Sequence, residues 1–255
     1  MVRKDILPIY SEWVRPGTSQ CDLNGCLKPG ALLEVVQNVS NEHCRAMHVG
    51  RKELLEKGLA WVLFKTDMQV VRYPALGEKV LVETFTKGSQ LNFFPRYSVI
   101  KDRTGTEIGK IGSLWMLMDL VTRKTVSAQK TGISMPDYQN AKAPVSISFA
   151  KRNVTGQKQE YYIKPQFTDI DINGHVNNVR YADWLCNSLG IDLLAEYEVE
   201  FLSIDYLSEI HPDDKVVCIL ELSEKVFQYS GHTGAQALFN IYGILKKRVC
   251  FKREV

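Results

Sequence analysis

The sequence has no long apolar run. Its longest uninterrupted hydrophobic stretch is six residues, Leu59 to Phe64, whereas a membrane-spanning helix needs about 20. A large excess of one charge is missing too. Lys plus Arg is 32 and Asp plus Glu is 29, which lacks the clustered basic surplus of a nucleic-acid binder. The one basic concentration is Lys246-Lys247-Arg248 with Lys252-Arg253. It reads as solvated strand positions, or as one edge of a docking surface for an acidic partner. Cysteine is sparse: Cys21, Cys26, Cys44, Cys186, Cys218 and Cys250 form no Cys-x-x-Cys pair and no Cys/His cluster of zinc-like spacing. No disulfide, metal or cofactor is therefore expected. The opening Met-Val-Arg-Lys-Asp leads into neither the apolar core of a signal peptide nor an Arg/Ser-rich transit segment. The expectation is a cytoplasmic protein with no membrane and no nucleic-acid partner. Hydrophobic residues at 45% and charged residues at 24% also exclude a disordered chain.

What is present is an internal repeat. Asp22-Leu23-Asn24-Gly25 returns as Asp171-Ile172-Asn173-Gly174, and Arg72 to Val80 resembles Glu209 to Val216 in a more compact second copy. Each copy orders its elements alike: an Asn-Gly turn, one helix, then strands. The first helix is predicted over 31–47, where Leu32, Val35, Val36 and Val39 form an apolar stripe; the second begins near Asn178, with Val179, Ala182, Leu185 and Leu189. β-branched and aromatic runs predict strands at 60–71, 79–86, 93–100, 113–121, 197–206, 215–222 and 235–251. One helix and a strand-rich set, twice over, is an α+β pattern. The predicted division is a first domain at 1–137, a linker at 138–159 and a second domain at 160–255.

The densest polar cluster is Thr168 to Asn178, with two carboxylates, three amides and one imidazole in eleven residues, just ahead of a helix. Asn177 or Asn178 would cap that helix, and Gly174 permits a left-handed turn. On composition alone this reads equally as a turn and cap without chemistry. The first copy keeps Asp22, Asn24 and Gly25 but has Cys26 where the second has His175. The skeleton is thus partly structural, and the histidine is particular to the second copy. An imidazole in an acid- and amide-rich turn is a candidate acid/base group. His43, His48, His211 and His232 read as surface or structural residues.

Asp171-Ile172-Asn173-Gly174-His175-Val176-Asn177-Asn178-Val179-Arg180-Tyr181 resembles the signature of the acyl-acyl carrier protein thioesterases, with Gly174 where the family usually has Gln. Leu59 to Pro74 and Ser113 to Lys124 resemble two first-domain segments of the same family. The resemblance runs in order along nearly the whole chain. It implies a double hotdog, two tandem units each with one long helix wrapped by an antiparallel β-sheet, and hydrolysis of a fatty acyl thioester on acyl carrier protein. It carries Asp171, Asn173 and His175 onto the family's Asp, Asn and His, and Glu209 onto its Glu. The neighbouring family Cys is Ile210 here, which favours attack by water over an acyl-cysteine. Lacking a plastid-targeting extension, the chain resembles a bacterial member.

The roles expected from this are a general base at Glu209, proton sharing at His175, hydrogen-bonded orientation at Asp171, and a water- or carbonyl-holding amide at Asn173, with backbone N–H groups near Gly174–Val176 completing an oxyanion site. Val36, Val39, Met47, Trp61, Phe64, Trp115 and Met116 are possible acyl-pocket linings, each equally readable as core. Lys151, Arg152, Lys164 and Arg180 flank the signature, and each reads equally as a guide for an acidic carrier protein or as solvated surface charge. The alternatives that remain open are an acyl-CoA thioesterase, a hotdog 3-hydroxyacyl-thioester dehydratase and a non-catalytic acyl-thioester sensor. The expected assembly is a monomer or a homodimer.

Overall fold

A computed structural model describes residues 7–149 and 152–248, and the chain divides into two compact units, 1–149 and 150–255. The first contains strands β1 (Ile9–Val14), β2 (Leu59–Val70), β3 (Val80–Thr86), β4 (Phe94–Lys101), β5 (Glu107–Asp119) and β6 (Thr125–Val126), with helices α1 (Pro29–Ala46), α2 (Arg51–Leu55) and α3 (Ala128–Thr131). Its antiparallel strands run in the order β1-β3-β4-β5-β2, with β6 on β5. Pro29 opens α1, where its missing N–H costs nothing. Leu32, Val36, Val39 and His43 recur at helical spacing and are buried, because this face lies on β1 and β3.

A polar seam runs through that packing. His43 Nε2 lies 2.8 Å from the Leu7 carbonyl, so Nε2 carries the proton and Nδ1 accepts from Arg96 Nη1 at 3.1 Å. Arg96, on β4, also donates to Thr84 Oγ1 and Cys44 Sγ. Burial first, and the adjoining guanidinium second, push the His43 pKa down to about 4.

The second unit contains β7 (Gln157–Ile163), α4 (Arg180–Leu189), α5 (Ile191–Glu196), β8 (Tyr197–Tyr206), β9 (Val216–Ser223), β10 (Val226–Thr233) and β11 (Gln236–Lys247). Its antiparallel strands run β8-β11-β10-β9-β7. Tyr181 of α4 stacks on Phe239 of β11, and Ser188 Oγ lies 3.1 Å from the Tyr229 hydroxyl of β10. Each unit is thus an α+β hotdog. The second helix is shorter than the resemblance implies. Gly190, at φ +85°, ends α4 after ten residues, and a separate helix, α5, starts at Ile191.

Four strands were not predicted: β1, the two-residue β6, β7 and β10. In β10 the cause is glycine. Gly231 pairs with Phe239, and Gly243 of β11 pairs with Phe227. A Cβ on either glycine would lie 2.1 Å from the opposite ring. These glycines make room for aromatics in the middle of a sheet, whereas in sequence they resemble turn signals. The segment read as a linker also has structure. Val145 packs on Phe85 and Tyr97, Ser148 N donates to Asp67 Oδ2 at 3.0 Å, and β7 begins at Gln157. The last strand ends at Lys247; positions 249–251 of its predicted span, with Cys250, Lys252 and Arg253, lie outside the described residues.

Candidate active site

The turn before α4 is built by Asp171. Its Oδ1 accepts from Asn173 N at 2.8 Å, its carbonyl accepts from Gly174 N at 3.0 Å, and its own N–H donates to the His175 carbonyl at 2.9 Å. Gly174 takes φ +80°, which lets the chain reverse here. Beyond the turn, Val176 N donates to the Ile210 carbonyl at 2.9 Å. That bond holds the His175 segment against the Glu209–His211 segment, which follows β8.

His175 and Glu209 meet as a result. Nε2 of His175 lies 3.6 Å from Oε2 of Glu209, with 22% and 33% of their side-chain surfaces exposed. The separation is just beyond hydrogen-bond reach, and one water oxygen can approach both groups. Asp171 and Asn173 pair with each other instead: Asn173 Nδ2 donates to Asp171 Oδ2 at 3.3 Å, and Asn173 is exposed. Their connection to His175 is the backbone of the turn. The amides of Gly174 and Val176 are spent inside the fold, whereas the His175 N–H has no protein acceptor among the described residues. Asn177, one of the two expected caps, accepts from Val179 N at 3.1 Å. The helix proper starts only at Arg180, so its N-terminus is not at the imidazole.

Two residues near the site were not singled out from the sequence. His211 is exposed, and its ring stands edge-on to His175, with centroids 4.7 Å apart. Tyr181 is buried beneath the turn. Its hydroxyl is kept un-ionised by burial first, and further by the charges of Tyr206, Glu209 and Asp171. Ile210, at the position of the family cysteine, is fully buried and holds no nucleophile.

The Acyl-ACP thioesterase N-terminal domain model matches residues 15–133, and the C-terminal domain model matches residues 152–241. The chain belongs to the acyl-ACP thioesterase family. It is 26% identical over 229 residues to the chloroplastic palmitoyl-acyl carrier protein thioesterase of Gossypium hirsutum, an alignment spanning 84% of this chain and 54% of that one. It is 30% identical over 198 residues to the chloroplastic oleoyl-acyl carrier protein thioesterase of Coriandrum sativum, spanning 69% and 53%. The chain spans about half the length of the curated relatives it matches. Among solved structures, an acyl-ACP thioesterase from Bacteroides thetaiotaomicron superposes with a TM-score of 0.85 at 25% identity, covering 94% of this chain and 98% of that one. The 12:0-ACP thioesterase of Umbellularia californica shares the fold, with a TM-score of 0.81 at 20% identity, covering 94% and 98%.

Within this family member, the first unit has a small cavity of about 50 Å³ lined by Ser40, Asn41, Cys44, Trp61, Thr86, Phe94, Arg96, Trp115 and Met135. Of the possible acyl linings, Trp61 and Trp115 border it, and Met47 packs on the same core cluster as both. Val36 and Val39 are buried on α1, Phe64 sits among Phe93 and Phe149, and Met116 is half-buried on β5. The cationic residues near the signature differ in state. Lys164 is exposed, Arg180 binds Asp183 at 2.7 Å, and the Arg152 guanidinium lies over the rings of Phe201 and Tyr242; Lys151 lies outside the described residues. Lys246 and Arg248 are not simply solvated: both reach Glu198, at 3.3 and 3.6 Å. No described helix is long and apolar enough to cross a membrane.

Proposed function

We propose that this chain hydrolyses fatty acyl thioesters of acyl carrier protein to the free fatty acid and the carrier thiol, by attack of water activated at Glu209. The observation that carries this reading is the His175–Glu209 pair, 3.6 Å apart, in a chain matched by both acyl-ACP thioesterase models. A thioester carbonyl is electrophilic and a thiolate leaves readily, so the site needs an oriented base and a stabilised oxyanion rather than a covalent nucleophile. Glu209 takes the proton from water as the water oxygen bonds to the carbonyl carbon. The His175 N–H donates to the resulting oxyanion. When that intermediate collapses the C–S bond breaks, and the proton taken up by Glu209 passes through the neighbouring imidazole of His175, 3.6 Å away, to the departing sulfur, which restores both side chains. Asp171 and Asn173 act as positioning residues through the turn that sets the His175 backbone.

The cavity between α1 and its sheet receives the end of the acyl chain. Its small volume, against the ~300 Å³ or more of a preformed ligand pocket, means that the tryptophan side chains move when a long chain enters. Of the described cations that flank the signature, exposed Lys164 is the one assigned to steering an acidic carrier protein, since Arg152 and Arg180 are already engaged. The unpaired spacing of the cysteines supports a reducing, cytoplasmic location. Release of free fatty acid from acyl carrier protein thioesters, with matching acyl-CoAs alongside, tests the reading. Turnover confined to the CoA series would replace the substrate. Formation or loss of water across a 3-hydroxyacyl chain would make the protein a dehydratase. Bound, uncleaved thioester would make it a sensor.

A further inference from the structure

His175, Glu209 and His211 form a cluster that neither the signature nor the cysteine spacing reveals. One ligand atom from each lies within 4.8 Å of the other two. The fold brings them together through two short segments. The Val176–Ile210 hydrogen bond locks His175 beside Glu209. The His211 backbone is fixed by Asp214, whose Oδ2 accepts from His211 N at 2.7 Å. That bond uses the main chain of His211 and leaves its imidazole, which is exposed, able to turn. Two imidazoles and one carboxylate are a donor set suited to Zn²⁺ and its neighbours among the divalent transition metals, and an unfavourable one for Mg²⁺. With metal–ligand bonds of ~2.0–2.2 Å, the donor atoms would draw together by about 1 Å. Rotation of the exposed His211 ring and the partly exposed Glu209 carboxylate supplies that movement.

We propose that these three residues bind one divalent transition-metal ion of the zinc type, and that its binding inhibits the enzyme. The inhibitory part rests on the thioesterase reading above. A metal at this position takes the Glu209 oxygen that would accept the proton of water and the His175 nitrogen that would protonate sulfur. The corresponding positions of the first unit are Cys26, Tyr73 and Ala75, which offer no such set. The expected stoichiometry from these turns is one ion per chain.

His211 has no part in the hydrolytic steps, so His211→Asn separates the two functions. The binding arm titrates Zn²⁺ into the purified chain by calorimetry and follows Co²⁺ by its visible absorption. The activity arm measures acyl-ACP hydrolysis against added ZnCl₂. One equivalent should bind to wild type, with tetrahedral-type Co²⁺ bands, and His211→Asn, which removes a direct ligand, should weaken binding by at least the ~10–100-fold that loss of an outer partner costs, while keeping metal-free hydrolysis within a few-fold of wild type. Zinc should inhibit wild type at concentrations the variant tolerates. Equal zinc affinity in wild type and His211→Asn overturns the site, and stimulation by zinc overturns the inhibitory role. Metal binding in a chain that hydrolyses no thioester would leave the site standing and remove the function proposed above. Hydrolysis without metal binding would do the reverse.

Discussion

Cys26 stands in the first unit where His175 stands in the second. The Cys26 carbonyl accepts from Asp22 N at 2.8 Å, as the His175 carbonyl accepts from Asp171 N at 2.9 Å. Each is preceded by a glycine in the left-handed region, Gly25 at φ 73° and Gly174 at φ 80°. Each is followed by a residue bound to the opposite segment, Leu27 N to the Pro74 carbonyl and Val176 N to the Ile210 carbonyl. Even the next turn agrees, with Ala75 N on Glu78 and His211 N on Asp214. The two turns share a backbone and differ in the side chains they present: Cys26 and Tyr73 in one, His175 and Glu209 in the other.

This separation of scaffold from chemistry predicts different outcomes for matched substitutions. Asp22→Ala removes the acceptor of Asn24 N and Cys26 N and should cost about 1–3 kcal/mol of stability. Its kcat should stay within a few-fold of wild type. Asp171→Ala should cost similar stability and also lower kcat at least ~tenfold, because the His175 backbone moves. Urea melts and steady-state rates on both variants check this.

The paired glycines of β10 and β11 predict a steric effect. Gly231→Ala or Gly243→Ala forces a methyl group against Phe239 or Phe227. Each should destabilise by ~1–3 kcal/mol, read as a lower urea midpoint at unchanged m-value. In Gly243→Ala/Phe227→Leu the clash is relieved, and the loss should be smaller than the sum of the two single changes.

Acid should weaken the first unit through His43. The folded pKa is about 4, below the usual ~6.5 of the unfolded chain, so the unfolded state binds more protons between those values. Stability therefore rises with pH through that window and is level above it. On acidification His43 accounts for a loss of roughly 3 kcal/mol by the lower end. His43→Gln should flatten this part of the stability–pH curve. An unchanged slope would show that other groups cause the acid sensitivity.

The helix stripe, most strands and the repeat were legible because each rests on local periodicity or on a motif. The His175 turn was legible because its residues are adjacent in sequence. The approach of His211 to His175 was not, since it depends on the Val176–Ile210 bond between segments far apart in the chain. The cavity around Trp61 and Trp115 was legible only as candidate residues, because apolar residues of core and pocket have the same composition. The strand β10 was hidden by Gly231, whose role is to accommodate the ring of Phe239 from the neighbouring strand.

Enlarging the cavity should change substrate preference. Trp115→Ala opens space beside Phe94 and Met135. At ~0.8 kcal/mol per buried methylene, two extra carbons are worth about tenfold. The ratio of kcat/KM for long over short acyl chains should rise by about that factor. An unchanged ratio would place the acyl chain elsewhere.

The most direct test is acyl-ACP hydrolysis by wild type and Glu209→Gln, run over a series of even-numbered acyl chains. The side chain is isosteric, so the His175 neighbour and the fold are retained. The prediction is a kcat ~10²–10⁴-fold lower in the variant at unchanged melting temperature. A variant that hydrolyses acyl-ACP at the wild-type rate would contradict Glu209 as the base that activates water.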